Sequence, residues 1–471
     1  MRFTATLIVA AAALACATVA GAARPLQTAV YIQPSDLKVS DPGLVFQRVR
    51  NAGATAVRLI VKWKDVAPDS PPAGFDPSNP ADPAYNWKST DRQIQLAVGK
   101  GLVPLVTVVF APKWAEGGAS RGDGNRLVDP TALGQFARAI ATRYGGSFQG
   151  LPRVRYWLAW NEPNITKYLA PQVQSKHLVG PARYRNLVNA FAASVHGVHK
   201  DNVVVAGLLS PFTFKNDPGP LRFMRALLCM SSGSRPKPTC NSRIHFDIWS
   251  AHPYTSGGPT HHAFSPDDVS IGDLPRMNRL LRAAVNAHHV IARGGVRFWV
   301  TEFSWDSRPP DSAGVPLQLE AQWVAEGLYR MWKAGVSLVT WFQLRDEARP
   351  SPFQSGLYFR GTSLASSRPK PAMTAFRFPF VAFRQSGGVL LWGRTPTGNP
   401  GTVGIELSTK HGWKKVGKLQ ANRLGIFSKV LRIRVSSTAS MRANFATPVT
   451  VRSFPFPLKP PPDRFVQPFG R

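Results

Sequence analysis

The chain has 471 residues, 44% hydrophobic and 18% charged, which excludes a disordered polymer and leaves room for a large core and more than one domain. Lys and Arg number 58 against 26 Asp and Glu, a formal charge of +32. That excess reads either as a solvated basic surface that keeps the chain soluble or as attraction to anionic polymers; no helix-turn-helix, finger or aromatic-basic ribonucleoprotein pattern accompanies it, so no nucleic-acid partner is expected.

Residues 1–23 carry Arg2, an apolar run from Leu7 to Ala20 and the small residues Ala20-Gly21-Ala22. This is the pattern of a secretory signal peptide, and the expected localisation is secreted, extracellular or wall-associated. A membrane anchor is the alternative, but the apolar run is short for a span. A lipid attachment at Cys16 is disfavoured by Ala13, where a leucine is usual. No later stretch is long and apolar enough to cross a bilayer.

From residue 24 strand and helix patterns alternate. Strands are expected at 29–32, 54–63, 102–110, 154–160, 203–208, 246–251, 298–303 and 336–342, the second carrying Arg58. Helices are expected at 44–52, 93–98, 130–144, 183–198, 221–230, 274–290, 319–333 and 370–378. Asp129-Pro130 supplies a cap and a first turn, and Gly145-Gly146 a stop. Eight strand-then-helix units predict an α/β fold, a closed (β/α)8 TIM barrel over residues 24–383. An open doubly wound sheet would want a glycine-rich phosphate turn after the first strand, and Gln33-Pro34-Ser35 is not one.

After about residue 387 the strands become short and Gly and Pro punctuate them, so residues 384–456 read as a small antiparallel, sandwich-like β domain. It is strongly basic, with Lys410, Lys414, Lys415, Lys418, Lys429, Arg432 and Arg434 against a lone Glu406. The expected partner for this unit is an anionic cell-wall or extracellular polymer. Residues 457–471 form a proline-rich tail expected to be irregular. Cleavage of the leader would leave Cys229 and Cys240, an even pair around a Ser-, Gly- and Pro-rich loop, which reads as a disulfide.

Two stretches share one design. Arg155-Tyr156-Trp157-Leu158-Ala159-Trp160-Asn161-Glu162-Pro163 is an apolar strand that delivers a glutamate and stops at a proline. Phe298-Trp299-Val300-Thr301-Glu302-Phe303 repeats it. In a parallel barrel the C-terminal ends of strands hold the chemistry. Two glutamates there point to the carboxylate pair of a retaining glycosidase, with Glu162 as acid/base and Glu302 as nucleophile. Asn161 is placed to bond a sugar 2-hydroxyl. Tyr254 and Arg58 are placed to hold Glu302 ionised, and Trp341 to offer a flat platform. His261-His262 and His288-His289 are adjacent pairs whose side chains diverge, so no metal is expected, and no phosphate loop or dinucleotide fingerprint implies a cofactor.

The set Trp160-Asn161-Glu162-Pro163, Thr301-Glu302-Phe303, His252-Pro253-Tyr254, Arg58 and Trp341 resembles glycoside hydrolase clan A, nearest to family 5 and family 39, over about residues 26–383. The resemblance implies the acid/base after strand four, the nucleophile after strand seven, and a carbohydrate substrate cleaved with retention. Family 5 enzymes often carry a histidine after strand three. Phe110-Ala111-Pro112-Lys113-Trp114 has none, which leaves Trp114 as a candidate sugar contact. The competing expectation is a non-catalytic carbohydrate- or wall-binding protein on the same barrel.

Overall fold

The structure is a computed structural model that describes residues 24–118 and 121–468. The proposed leader, including Cys16, lies outside the described residues. Eight parallel strands close into a barrel: β1 Gln27–Tyr31, β2 Ala56–Lys62, β3 Val103–Val109, β4 Tyr156–Ala159, β5 Val203–Leu209, β6 Ile248–Ala251, β7 Arg297–Val300 and β8 Val336–Trp341. Closure is by β1 pairing β8 from Gln27↔Leu338 to Val30↔Trp341. The crossover helices are α1 Pro42–Asn51, α2 Lys88–Gly99, α3 Pro130–Arg143, α4 Gly180–Val198, α5 Pro220–Leu228, α6 Leu274–Asn286, α7 Leu317–Lys333 and α8 Pro371–Arg377.

Local chemistry sets the element ends. Asp41 and Asp129 cap α1 and α3 by accepting from Leu44 N and Thr131 N, with a proline opening each first turn. The helix expected over 274–290 stops at Asn286, and Val290–Ile291 pairs instead with Ile244–His245.

Side-chain alternation along the strands builds two cores. Facing outward, Trp157, Trp249 and Val106 join the helices in one continuous apolar layer. Facing inward, Ala29, Ala56, Leu105, Leu158, Val205, Ile248, Trp299 and Leu338 fill the barrel floor. One layer higher the inward positions turn polar: Arg58, Thr107, Ser250, Thr301 and Thr340, all 0% exposed. That polar layer is the base of the site.

The C-terminal unit has two antiparallel sheets. β9 Phe380–Gln385, β10 Gly388–Arg394 and β13 Ile426–Leu431 form one. β11 Gly401–Thr409, β12 Gly412–Ala421, β14 Ser440–Ala446, β15 Thr450–Arg452 and β16 Phe456–Pro457 form the other. β9 straddles the expected boundary at 383/384, because Phe380, Val381 and Ala382 pair with β10. The unit docks on α7, where Trp392 packs against Tyr329 and Trp332 with ring centroids 5.3 and 5.4 Å apart. The described tail residues 458–468 lack regular structure, but they are packed: Asp463 and Val466 hydrogen-bond back to the barrel. Cys229 and Cys240 are joined in a disulfide that closes the loop after α5. No described helix is long and apolar enough to cross a membrane.

Candidate active site

Glu162 sits in a turn at the C-terminal end of β4. Trp160 and Glu162 adopt positive φ, +77° and +38°, a conformation non-glycine residues enter only when the surroundings enforce it. Here they do. Glu162 N donates to Leu208 O at 3.1 Å, and Trp160 Nε1 donates to Tyr168 O at 2.7 Å. The fully buried Asn164 bridges to the end of β5, donating to Ser210 O and accepting from Ser210 N at 2.8 Å. Gln172 Nε2 caps Pro163 O.

Glu302 follows β7 directly. Arg58, rising from the polar layer of β2, donates to Glu302 Oε1 through Nη1 and to Asn161 Oδ1 through Nη2 at 2.7 Å. Its Nε donates to Thr107 Oγ1 at 3.1 Å, which fixes the plane of the guanidinium. Tyr254 donates its hydroxyl to Glu302 Oε2 at 3.0 Å. His252 stands between the two acids, its Nδ1 3.1 Å from Glu162 Oε1 and 3.8 Å from Glu302 Oε2. Its Nε2 meets Thr301 Oγ1, which in turn meets the Ser250 hydroxyl. The ligating atoms of Glu162, His252 and Glu302 all lie within 4.8 Å of one another.

The electrostatics act on Glu302. Burial pushes the Glu302 pKa up, but the His252 and Arg58 charges and the hydrogen bonds from Arg58 and Tyr254 outweigh it, and the net shift is downward. Glu302 is therefore an ionised carboxylate over the ordinary pH range. Burial, then the charge of Glu302, drives the Tyr254 phenol well above its usual range, so it remains a donor. No arginine among the described residues bonds Glu162; its side chain is 13% exposed, and His252 Nδ1 stands within hydrogen-bond reach.

The three groups also have the spacing of a metal site. Two features oppose a cation. Arg58 already places a fixed positive charge on Glu302, and Tyr254 occupies the other oxygen. The donor set around Glu302 fits a carboxylate held by Arg58 and Tyr254 better than a metal ligand.

Arg58, Asn161, Glu162, His252, Tyr254 and Glu302 thus converge. The three tryptophans do not join them. Trp341 is 0% exposed and points away from the barrel axis, packed edge-on against Phe303 and against Phe376 of α8, with Nε1 on Ser355 O. The physical reason is parity: Leu338 and Thr340 face inward on β8, so Trp341 faces the helices and Phe342 faces the mouth. Trp114 packs edge-on against Trp63 and Phe75 and donates to Pro68 O, so the loops after β2 and β3 consume it. Trp160 is 1% exposed and pins its own loop as described.

Sequence reasoning missed three aromatic residues at the mouth. Phe342 stacks on Tyr31 with centroids 5.1 Å apart and planes 6° apart, and meets Tyr254 edge-on. Tyr168 stacks on Phe110 at 5.4 Å; burial, then the charges of Glu162 and Glu302, raises its phenol pKa. Tyr31 and Phe342 had a readable signal, since each sits at the C-terminal end of a barrel strand.

No protein-family profile matches the chain, and no curated protein matches it in sequence. Solved structures do match. A family 39 glycoside hydrolase from the gut symbiont Bacteroides cellulosilyticus is 17% identical, with 87% of this chain and 81% of that chain covered, at a TM-score of 0.52. A glucosidase from Croceicoccus marinus is 14% identical over 89% and 94% of the two chains, at a TM-score of 0.49. A family 30 endoxylanase from Clostridium papyrosolvens is 11% identical over 87% and 94%, at 0.46. At such identities the likeness to the family 39 protein speaks for a shared barrel architecture.

Proposed function

We propose that this chain is a secreted retaining O-glycoside hydrolase that cleaves a β-linked poly- or oligosaccharide by double displacement. The observation that carries the reading is the pair of carboxylates at the C-terminal rim, Glu162 and Glu302, one oxygen of each lying within 4.8 Å of the other. A retaining enzyme holds its two carboxyl groups about 5–5.5 Å apart, whereas an inverting one leaves about 6.5–9.5 Å for a water.

The roles follow from the surroundings. Glu302, kept ionised by His252, Arg58 and Tyr254, attacks the anomeric carbon. Glu162 protonates the leaving oxygen, then deprotonates the water that releases the glycosyl-enzyme. Arg58 occupies Asn161 Oδ1, which leaves Nδ2 to donate to the sugar 2-hydroxyl. Tyr31 and Phe342 supply the apolar rim against which a sugar ring packs.

The test is a panel of aryl β-glycosides with the parent chain and Glu302→Ala. The parent turns over at least one member and the first-formed sugar keeps its configuration; an inverted first product would overturn the double displacement. Export rests on residues 1–23, and N-terminal sequencing of the exported protein checks it. A start upstream of residue 20 would refute a leader of that length. Binding to an anionic wall polymer through the basic C-terminal unit completes the proposal.

A further inference from the structure

Resting on the glycosidase reading, we infer that residues 463–468 form a wall of the substrate cleft that limits how far a sugar chain extends past Glu302, and so directs cleavage toward chain ends. The stretch from Leu458 to Val466 is anchored at both ends. β16 pairs with β14 through Met441↔Phe456 and Ser440↔Pro457, and Leu458 N donates to Ala439 O. The chain then leaves the β unit and returns to the barrel mouth. Asp463 Oδ1 accepts from Gly258 N at 2.6 Å, Asp463 Oδ2 lies 3.4 Å from His261 Nδ1, and Val466 N donates to Ser256 O at 3.0 Å. Val466 is only 6% exposed.

The loop after β6 is shaped for this contact. A Cβ on Gly257 would stand 2.6 Å from the His261 ring and 2.8 Å from Asp463 Oδ1, and one on Gly258 3.1 Å from the same oxygen. Any side chain at Gly257 would force the aspartate away. The wall lies one side chain from the chemistry. Val466, Gln467 and Pro468 face Tyr254, Trp305, Phe342 and Phe353, leaving a void of only about 20 Å³ between them. Tyr254 is the donor to Glu302, and Phe342 is the ring stacked on Tyr31. A void that size holds about one water, so no sugar ring passes there while the segment is seated.

The experiment compares the full chain with a chain ending at Leu458, which retains β16. Probes are aryl β-xyloside and β-glucoside, and end-labelled xylo- and cello-oligosaccharides from dimer to hexamer. The full chain should cut at chain ends. The shortened chain should keep aryl-glycoside turnover while its ratio of internal to terminal cuts rises about tenfold, the size of one lost pocket contact. Asp463→Ala in the full chain, which removes a half-exposed side chain, should move the ratio the same way and covers the case of a shortened chain that misfolds. Unchanged product patterns with aryl turnover retained would overturn the wall alone. An equal rise on all substrates would also overturn it, since the segment would then obstruct the whole mouth. Absence of turnover on every aryl glycoside by every chain would instead sink the glycosidase reading, and the wall with it.

Discussion

Arg58 and Glu302 form an ion pair in which the guanidinium is 0% exposed and the carboxylate 11%. Burial alone would raise the Glu302 pKa, and the net shift is downward because His252, Arg58 and Tyr254 together oppose it. A carboxylate lowered in the folded state adds stability above its unfolded pKa of about 4.3, and loses it as pH falls through the folded value. Arg58→Met removes the arginine that donates to Glu302. The acid limb of the kcat/KM profile should then move to higher pH, and stability at neutral pH should fall by about 3–5 kcal/mol, the cost of a buried charge left without its partner. A pH–rate profile and denaturant unfolding measure both; an unmoved acid limb would remove Arg58 from the control of Glu302.

The two glutamates make separable predictions. Glu302→Ala should lower turnover of aryl glycosides by about 10⁴-fold or more, as removing a nucleophile does elsewhere. Azide should restore turnover with a product of inverted configuration, because a small anion then attacks once from the vacated side. Glu162→Ala should hurt poor leaving groups most, since they need the proton, and leave activated aryl groups comparatively intact. Equal losses across leaving groups would contradict the acid role.

Phe342 and Trp341 divide structure from binding. Trp341→Ala empties a fully buried site and should cost about 3–5 kcal/mol in unfolding free energy, with kcat per folded molecule preserved. Phe342→Ala should raise KM about tenfold with a smaller effect on Tm. The reverse assignment of KM and Tm effects would restore Trp341 as the platform.

That pair also marks where the sequence was legible. Apolar strands ending in Glu162 and Glu302 could be found because barrel strands are continuous apolar runs, and the turn after each is punctuated. Arg58 could be found because a lone charge in such a run has few places to go. The parity at the end of β8 was harder to read, since in Leu338-Val339-Thr340-Trp341-Phe342 the one polar residue is Thr340, and large apolar residues stand on both faces. The return of Asp463 to the barrel was equally hidden: a proline-rich segment carries no period, and its partners, Gly258 N and the His261 ring, lie in a distant glycine loop.

A second buried cluster lies outside the site. Lys370 binds Asp346 at 2.6 Å, while both oxygens of the fully buried Glu320 lack a hydrogen-bond partner among the described residues. Burial pushes Glu320 up to about 8, with Lys370 opposing. Its folded pKa lies above the unfolded one, so the folded chain holds a proton the unfolded chain releases between about pH 4 and 8. Stability should therefore fall as pH rises through that window, by about 1.4 kcal/mol per pH unit at most from this group. Glu320→Gln should match the parent near pH 5 and exceed it in Tm near pH 8. Identical Tm differences at both pH values would show that Glu320 does not titrate with folding.

Charge on the C-terminal unit gives the last prediction. Glu406, the one acid between residues 384 and 456, is paired with Arg442 at 2.6 Å, and Arg442 lies 4.1 Å over the Trp413 ring. Glu406 is the cross-strand partner of Lys415, but its carboxylate is taken by Arg442, so one paired acid stands against Lys414, Lys415 and Lys418, which are exposed on β12. Exposed charges act over about 10 Å at 0.1 M salt and about 3 Å at 1 M. Reversing all three lysines to Glu should weaken binding to polygalacturonate about tenfold at low ionic strength. The gap between variant and parent should close as salt rises, while aryl-glycoside turnover stays unchanged. A salt-independent difference would mean that the substitutions disturb the fold of the sheet, and equal binding at low salt would make the unit a packing module against α7.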